Sequence, residues 1–245
     1  MRDLKRSLGP SIRSRLANIR RRMNREFLWK MHAYSQYPLH RVKYRAIAHP
    51  FKVVYIDPSY VRAQLRKEGE RRKQWPWGSI KGGCWDEEVN YRYDKEDIAY
   101  RSMCQHFNHG VPWEDTSLFT EKYPSILASQ GATKGCHSLA QLIDYYRLRI
   151  DPLYYDVKEN GLRTPLDPEI DPIFIYIGRN GQIIYSADGN HRLHVAKLLG
   201  VRVFPVLVRM RHLRWQVIRE AIKANEVEKC SLVEYRNHPD LQDLY

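Results

Sequence analysis

The chain has few cysteines, and they are widely separated. None of the four belongs to a Cys-x-x-Cys pair (Cys84, Cys104, Cys136 and Cys230). This spacing argues against a disulfide framework and against a structural zinc site, so we expect reduced thiols. Cys104 with His106 and His109 is the one local group with metal-ligating side chains, and we interpret these three as ordinary surface residues.

Long apolar segments are also missing. No apolar run approaches the roughly 20 residues of a membrane-spanning helix, and the N-terminal residues lack the apolar core of a secretory signal. Hydrophobic residues make up 43% and charged residues 28% of the 245 residues, which excludes a globally disordered or collagen-like chain. We therefore expect a globular cytoplasmic protein, with a basic N-terminus that can bring it to the periphery of a membrane.

Acidic residues are scarce in the first 45 residues. This segment holds thirteen basic and two acidic residues, a net charge of +11, so the remaining 200 residues carry only +2 of the total of +13. Apolar residues recur between the arginines at helical spacing (Ile12, Leu16, Ile19, Met23 and Phe27). We predict a basic amphipathic arm over residues 1–48. We expect residues 1–45 of this arm to bind an anionic membrane surface or nucleic acid. The alternative is that its apolar stripe packs on its own domain or on a partner chain.

Residues 49–245 are predicted to form one α+β domain around a small mixed β-sheet, with a helical insertion at about 64–136. Runs of β-branched and aromatic residues predict strands at 51–56, 173–177, 182–186 and 203–208. The second and third of these strands are predicted to form a hairpin. Two short helices are expected within the insertion, near 94–108 and 116–130. Ser138 is predicted to cap a helix that Pro152 interrupts, before a second helix ends at Asn160-Gly161.

The most informative segment is Asp188-Gly189-Asn190-His191-Arg192, between the hairpin and a predicted helix. A glycine lets the backbone turn sharply into a helix, whose free N–H groups and positive dipole end favour a phosphate. His191 and Arg192 are unfavourable at that end of a helix unless an anion lies between them. The segment therefore predicts a phosphate site. Asp188 is placed to bind a metal ion or an attacking hydroxyl, or simply to cap the helix.

Five ordered landmarks resemble the nucleotide-binding domain shared by ParB proteins, sulfiredoxins and free serine kinases. They are the strand that ends at Ile56-Asp57-Pro58, the run 155–166, the hairpin, the loop and helix 188–200, and the strand Phe204-Pro205-Val206-Leu207-Val208. The resemblance implies a ParB/sulfiredoxin-like fold. It also implies that nucleotide phosphates bind to the glycine loop, with a second segment nearby (Gly189, Asn190, His191 and Arg192, with Thr164 and Pro165).

The loop is most similar to that of the free serine kinases. ParB proteins carry Glu and Arg where this chain has Asn190 and His191, and sulfiredoxins carry a reactive cysteine at the position of Asn190. The resemblance therefore implies Mg²⁺-dependent phosphoryl transfer from a nucleoside di- or triphosphate (ATP, ADP or CTP), or its hydrolysis. The acceptor is a hydroxyl of a small molecule or a glycan, Asp188 holds the metal, and Asp188 and His191 are catalytic. The alternative is a non-catalytic nucleotide-dependent switch that binds nucleic acid or an anionic membrane through its arm.

Four further segments leave alternatives open or are interpreted as structural. Gly69-Glu70-Arg71-Arg72 resembles the ParB signature and Gly135-Cys136-His137 the sulfiredoxin loop, but neither has the flanking elements of its family, so both are interpreted as structural. Trp75-Pro76-Trp77 either stacks a base or a sugar or, as we prefer, anchors the insertion. The basic residues after the last predicted strand either add positive potential around the phosphate site or form a solvated face (Arg209, Arg211, His212 and Arg214).

Overall fold

A computed structural model describes residues 10–65, 77–91, 97–166, 172–186, 189–224 and 235–245, with side chains from residue 27 onward. Within these residues the chain forms a mixed α+β structure with one seven-stranded sheet. The strands are β1 Val53–Ile56, β2 Ala63–Leu65, β3 Ser79–Lys81, β4 Val89–Tyr91, β5 Phe174–Ile177, β6 Ile183–Tyr185 and β7 Phe204–His212. The predicted α+β class with a mixed sheet is confirmed.

The strand order is β1-β7-β5-β6-β2-β4, and β3 extends the edge of β7 beyond β1. Strand β7 is parallel to β5 and antiparallel to β1, while β5 and β6 form the predicted antiparallel hairpin. All nine residues of β7 are buried, as expected for a strand that is covered on both faces. Three strands that the sequence did not predict, β2, β3 and β4, come from the insertion.

Six helices accompany the sheet in the described residues. They are α1 Pro10–Lys43, α2 Ile98–His109, α3 Tyr123–Gln130, α4 Leu139–Asn160, α5 Asn190–Leu198 and α6 Leu213–Lys223. The two helices predicted within the insertion correspond to α2 and to a π-turn, Leu118–Lys122, that leads into α3. No described helix combines the length and apolarity that crossing a bilayer requires.

Helix α4 corrects the prediction that Pro152 divides this segment. Ser138 caps the helix as predicted, through the backbone N–H of Gln141, and the helix continues across Pro152 to Asn160. Buried residues lie on both sides of the proline along the helix, Ile150 before it and Tyr154 after it. Their packing offsets the backbone hydrogen bond that a proline removes, so one long helix forms.

The two faces of the sheet are covered by different parts of the chain. One core lies between the sheet and residues of α5 and α6, and includes Ile175, Phe204, Leu193 and Trp215. On the other face, residues from α1 and the insertion pack against β5 and β7, in a cluster that contains Ala33, Trp77, Phe174 and Leu207. The interpretation of the Trp75-Pro76-Trp77 segment as an anchor is confirmed for Trp77, while Trp75 and Pro76 lie outside the described residues.

The second half of α1 contacts the sheet directly. Trp29 lies 6.4 Å from Trp77 between ring centroids, and Ala33 is buried against the same cluster. Just after α1, the backbone N–H groups of Arg45 and Ala46 donate to the carboxylate of Glu220 on α6. The end of the predicted arm is therefore held on the domain. The side chains of residues 1–26, which carry most of the predicted amphipathic stripe, lie outside the described residues.

Three of the four basic residues predicted to follow the last strand lie within β7, and their role differs from either predicted alternative. Arg209, Arg211 and His212 are nearly inaccessible to solvent, with exposures of 2–3%. Arg211 pairs with the buried carboxylate of Asp240, and the guanidinium of Arg209 lies 4.6 Å from the ring centroid of Phe174. Neither a solvated face nor a field around the phosphate loop describes these three residues, because they are packing and pairing groups of the core.

Candidate functional site

The loop between β6 and α5 leads into the helix through Gly189, whose backbone conformation favours glycine. Gly189 is the N-cap of α5 and has φ +80° and ψ +25°, in the left-handed region. A Cβ atom at this position would lie 3.1 Å from Nη2 of Arg192 and 3.2 Å from Cγ1 of Ile173. The predicted sharp turn is therefore present, and it presents the first N–H groups of α5, which have no acceptor within the helix. Asp188 lies outside the described residues.

A cavity of about 430 Å³ opens over the start of α5, and we name it the phosphate cavity. Gly189, Asn190 and His191 form one side of it. The other sides come from the insertion and from α4, and they contribute chiefly Asp97, Lys122, Tyr123, Lys134 and Tyr146. The structure thus brings three of the predicted phosphate-binding residues to one cavity, together with side chains that lie 43 to 94 residues away in the chain.

Lys134 and His191 meet at the mouth of this cavity. The Nζ atom of Lys134 lies 3.3 Å from Nε2 of His191 and about 5.5 Å from the ring centroids of Tyr145 and Tyr146. Although Lys134 as a whole residue is exposed, its amine is enclosed, and this desolvation together with Lys122 lowers the pKa of Lys134. Desolvation, with Lys134 next in weight, lowers the pKa of His191 to about 3. His191 is therefore neutral at pH 7.

A pair of tyrosine hydroxyls forms the floor of the cavity. The hydroxyl groups of Tyr123 and Tyr146 lie 2.8 Å apart, and both side chains are buried. Burial raises the pKa of Tyr123 to about 12 and raises that of Tyr146 further, so both phenols stay protonated. One hydroxyl donates to the other, and the second proton remains to be donated to a bound group.

His194 follows His191 by three residues and so lies on the same face of α5. Its Nε2 atom is 3.4 Å from Oδ2 of Asp97, and its side chain is almost fully enclosed. The other carboxylate oxygen of Asp97 accepts the backbone N–H groups of Ala99 and Tyr100 and thereby caps α2. Two buried polar atoms of the site, Nδ1 of His194 and Oδ1 of Asn190, have no hydrogen-bond partner among the described residues.

Arg192 faces away from the phosphate cavity. It lines a separate cavity of about 210 Å³ together with Gly161 and Arg163, although its Nη2 atom remains next to Gly189. Thr164 and Pro165 follow Arg163 directly. The side chain of Thr164 is exposed and accepts a hydrogen bond from the N–H of Leu166, while Pro165 is buried. The structure thus divides the predicted phosphate-binding residues between the two sides of the glycine loop.

The described residues around the phosphate cavity do not fit Mg²⁺. Mg²⁺ prefers several oxygen ligands in octahedral geometry, and Asp97 is the one carboxylate among the described residues that line the cavity. Its oxygens are already engaged by His194 and by the first turn of α2. Nowhere in the described ranges do three His, Cys, Asp or Glu side chains come together as a metal site, and this includes Cys104 with His106 and His109.

Sequence reasoning missed the far wall of the site. The residues missed are Lys122, Tyr123, Lys134 and Tyr146, together with the Asp97–His194 pair. Two signals were available: the spacing of His191 and His194 on one helix face, and the position of Lys134 directly before Gly135-Cys136-His137, a segment interpreted as structural because it lacks the flanking elements of the sulfiredoxin loop. Lys134 has φ +54°, the one positive φ outside glycine in the described residues, and its side chain reaches His191.

Comparisons of the chain with models of protein families, with curated proteins and with solved structures find no match.

Proposed function

We propose that the protein binds the phosphate groups of a nucleotide in the phosphate cavity and transfers or hydrolyses the terminal phosphoryl group. The observation that carries the proposal is the meeting of Lys134 with His191 over the N-terminus of α5. Lys134 is positively charged there and donates to the neutral imidazole of His191, and the positive end of the helix dipole adds to the potential. An anion bound at this point meets a lysine ammonium group and free backbone N–H groups, which is the arrangement expected of a phosphate site.

The other walls supply what phosphoryl transfer needs. The transition state spreads negative charge over the peripheral oxygens, so catalysis depends mainly on positioning and electrostatic stabilisation. Lys122 and Lys134 provide charge from the insertion, the first turn of α5 provides N–H donors, and the Tyr123–Tyr146 pair provides one hydroxyl proton. These groups meet the phosphate charge without a metal ion held by the described residues.

His191 is suited to accept a proton once phosphate is bound. In the free protein desolvation and neighbouring positive groups lower its pKa to about 3. A phosphate beside it raises that pKa because negative charge favours the imidazolium form. Once the amine of Lys134 has turned from Nε2 of His191 to the phosphate, this nitrogen is free to take up the proton that an attacking hydroxyl or water releases.

The resemblance to the ParB/sulfiredoxin-like domain supports a nucleotide as the ligand. Its landmarks lie side by side in this chain, since β1 and β5 both pair with β7, and the hairpin β5–β6 leads into the glycine loop. Within that superfamily the free serine kinases transfer phosphate to a hydroxyl. We therefore propose a hydroxyl-bearing acceptor, either a small molecule or a glycan.

The proposal is tested by calorimetric titration of the full chain with ATP, ADP and CTP, with and without Mg²⁺, followed by measurement of phosphorylated or hydrolysed product. Lys134→Met is expected to weaken nucleotide affinity about ten-fold, which corresponds to about 1.4 kcal/mol for one charge-assisted contact. Lys223→Met is the matched control, because Lys223 is exposed at the end of α6 and does not line the cavity.

The outcomes separate the parts of the proposal. If none of the three nucleotides binds, the proposal is wrong. If they bind without product, the site is a nucleotide-binding switch, which is the alternative that the basic arm suggests. Equal losses in Lys134→Met and Lys223→Met would show that nucleotides bind through general surface charge.

A further inference from the structure

A second cavity, of about 580 Å³, lies between the end of β1, the β5–β6 hairpin turn and the C-terminal segment. We name it the tyrosine cavity, because Tyr55, Tyr60 and Tyr91 line it. These side chains are 52%, 73% and 59% exposed. Tyrosines that remain this accessible while they line a concave surface present their rings for stacking, and they are not part of the core.

One of the three rings is held in place by a hydrogen bond. Gln182 in the hairpin turn donates from Nε2 to the hydroxyl of Tyr91 over 3.1 Å. Tyr60 lies in a short 3-10 turn, Pro58–Tyr60, whose backbone is fixed by the carboxylate of Asp57 through the N–H of Ser59. The rings therefore stand on ordered elements, and little ordering entropy remains to be lost when a ligand binds.

The polar groups of the tyrosine cavity are mostly neutral. His238 donates from Nε2 to the carbonyl of Gly181 and accepts at Nδ1 from the N–H of Asp240, which fixes a neutral tautomer. Burial lowers the pKa of His238, consistent with that state. In the described part of the chain, the side-chain amides of Asn237 and Gln242 also line the cavity and have no partner. Amide groups without partners offer both donors and acceptors to a ligand.

The two cavities therefore differ in chemistry. The phosphate cavity contains lysines and histidines at a helix N-terminus, whereas the tyrosine cavity contains aromatic rings and amides, with Arg62 as the one lysine or arginine among its described lining residues. Arg62 and Ala63 also line a narrow cleft that reaches Asn190 and His194. This cleft shares lining residues with both cavities, and Arg62 lies where the tyrosine cavity meets the cleft.

We propose that the tyrosine cavity binds neutral saccharide units of a glycan. Exposed aromatic rings stack against the apolar face of a sugar, and side-chain amides match its hydroxyl groups, which act as both donors and acceptors. A cavity of this size accommodates more than a small ion or a single water-sized group. The proposal goes beyond the proposed nucleotide chemistry and does not depend on it.

The experiment applies the full chain, without nucleotide, to an array of neutral oligosaccharides of glucose, galactose, mannose and N-acetylglucosamine, followed by calorimetry with the retained hexasaccharides. Wild type is expected to retain at least one neutral oligosaccharide. Tyr60→Ala should weaken its affinity at least ten-fold, and Tyr60→Phe should retain most of it because the ring is kept. Tyr155→Ala is the matched control, since Tyr155 is similarly exposed on α4 but does not line the cavity.

Several results would overturn the proposal. They are an array without any retained neutral oligosaccharide, an affinity that Tyr60→Ala leaves unchanged, and binding of free nucleosides, but no saccharide, that Tyr60→Ala abolishes. Lys134→Met separates this proposal from the proposed function, because it should reduce nucleotide affinity and leave saccharide affinity unchanged. Failure of nucleotide binding with saccharide binding retained would therefore contradict the proposed function alone.

Discussion

The molecule contains two groups of charged residues that are built in opposite ways. At the C-terminal segment, the fully buried carboxylate of Asp240 accepts from Arg211, from Arg219 and from the indole of Trp215. At the start of α5, Lys134 and His191 meet with no acidic partner for Lys134 among the described residues. The first group neutralises its charges inside the protein, whereas the second leaves positive potential for a ligand.

The two groups differ because Asp240 pairs with the positive charges around it, whereas Asp97 has other partners than Lys134. Burial alone raises the pKa of Asp240, but Arg211 and Arg219 outweigh it and lower that pKa well below its ordinary value. In the phosphate cavity the corresponding carboxylate, Asp97, is occupied with His194 and with capping α2. Removing the partner of a buried charge destabilises the fold, whereas a charge that the fold does not compensate is available for binding.

The largest expected effect is on the compensated group. Asp240→Asn removes the negative charge between two buried guanidinium groups and should lower the free energy of unfolding by about 3–5 kcal/mol. Urea denaturation at pH 7 measures this change. Asp243→Asn is the control, because Asp243 pairs with Arg219 and Lys52 but is partly exposed, and a smaller loss is expected. Equal losses in the two variants would remove the distinction between the buried and the peripheral carboxylate.

At pH values below the ordinary pKa of a carboxyl group, the pairing of Asp240 with Arg211 and Arg219 should lose its contribution to stability. Because the pKa of Asp240 is lowered in the folded state, its contribution to stability is complete above about pH 4 and is lost as the pH falls further. Acid denaturation followed by circular dichroism should show a shallower dependence in Asp240→Asn than in wild type. Parallel curves would mean that other carboxylates carry the acid transition.

The pH dependence of the uncompensated group lies in a different range. The pKa of His191 is lowered from about 6.5 to about 3, so the unfolded chain binds more protons than the folded one between these values. Stability from this residue is complete above about pH 6.5 and falls by about 1 kcal/mol per pH unit below it. His191→Gln should lose less stability than wild type between pH 7 and pH 5.

Inorganic phosphate should reduce this difference, because an anion beside His191 raises its pKa. Thermal unfolding of both proteins with and without phosphate, at constant ionic strength, is the measurement. If phosphate affects both proteins equally at pH 5, the ion does not bind next to His191.

The smallest change in the free energy of unfolding is expected from removal of an exposed ion pair. Arg147 lies 3.1 Å from the carboxylate of Glu114, and about half of each side chain is exposed. Arg147→Ala should change the free energy of unfolding by less than about 1 kcal/mol, because water and salt screen the pair. A loss comparable with that of Asp240→Asn would show that ion pairing in this protein does not depend on burial.

Much of the sheet could be predicted from the sequence. The strands in the second half of the chain, their hairpin and the turn at Gly189 carry strong local signals, since β-branched runs favour strands and glycine permits a left-handed turn. Strands β2, β3 and β4 carry no such signal. Each is three residues long, and each forms because a neighbouring strand offers it a partner.

The site divides in the same way. The glycine loop and the place of His191 at a helix N-terminus could be predicted from the sequence, because both depend on residues next to one another in the chain. By contrast, the packing of the whole chain places Lys134 and Tyr146 opposite His191, turns Arg192 toward another cavity and buries Arg211 against Asp240. These contacts join segments that are far apart in the chain, and they form where the packing of helices against the sheet leaves space, which no local pattern specifies.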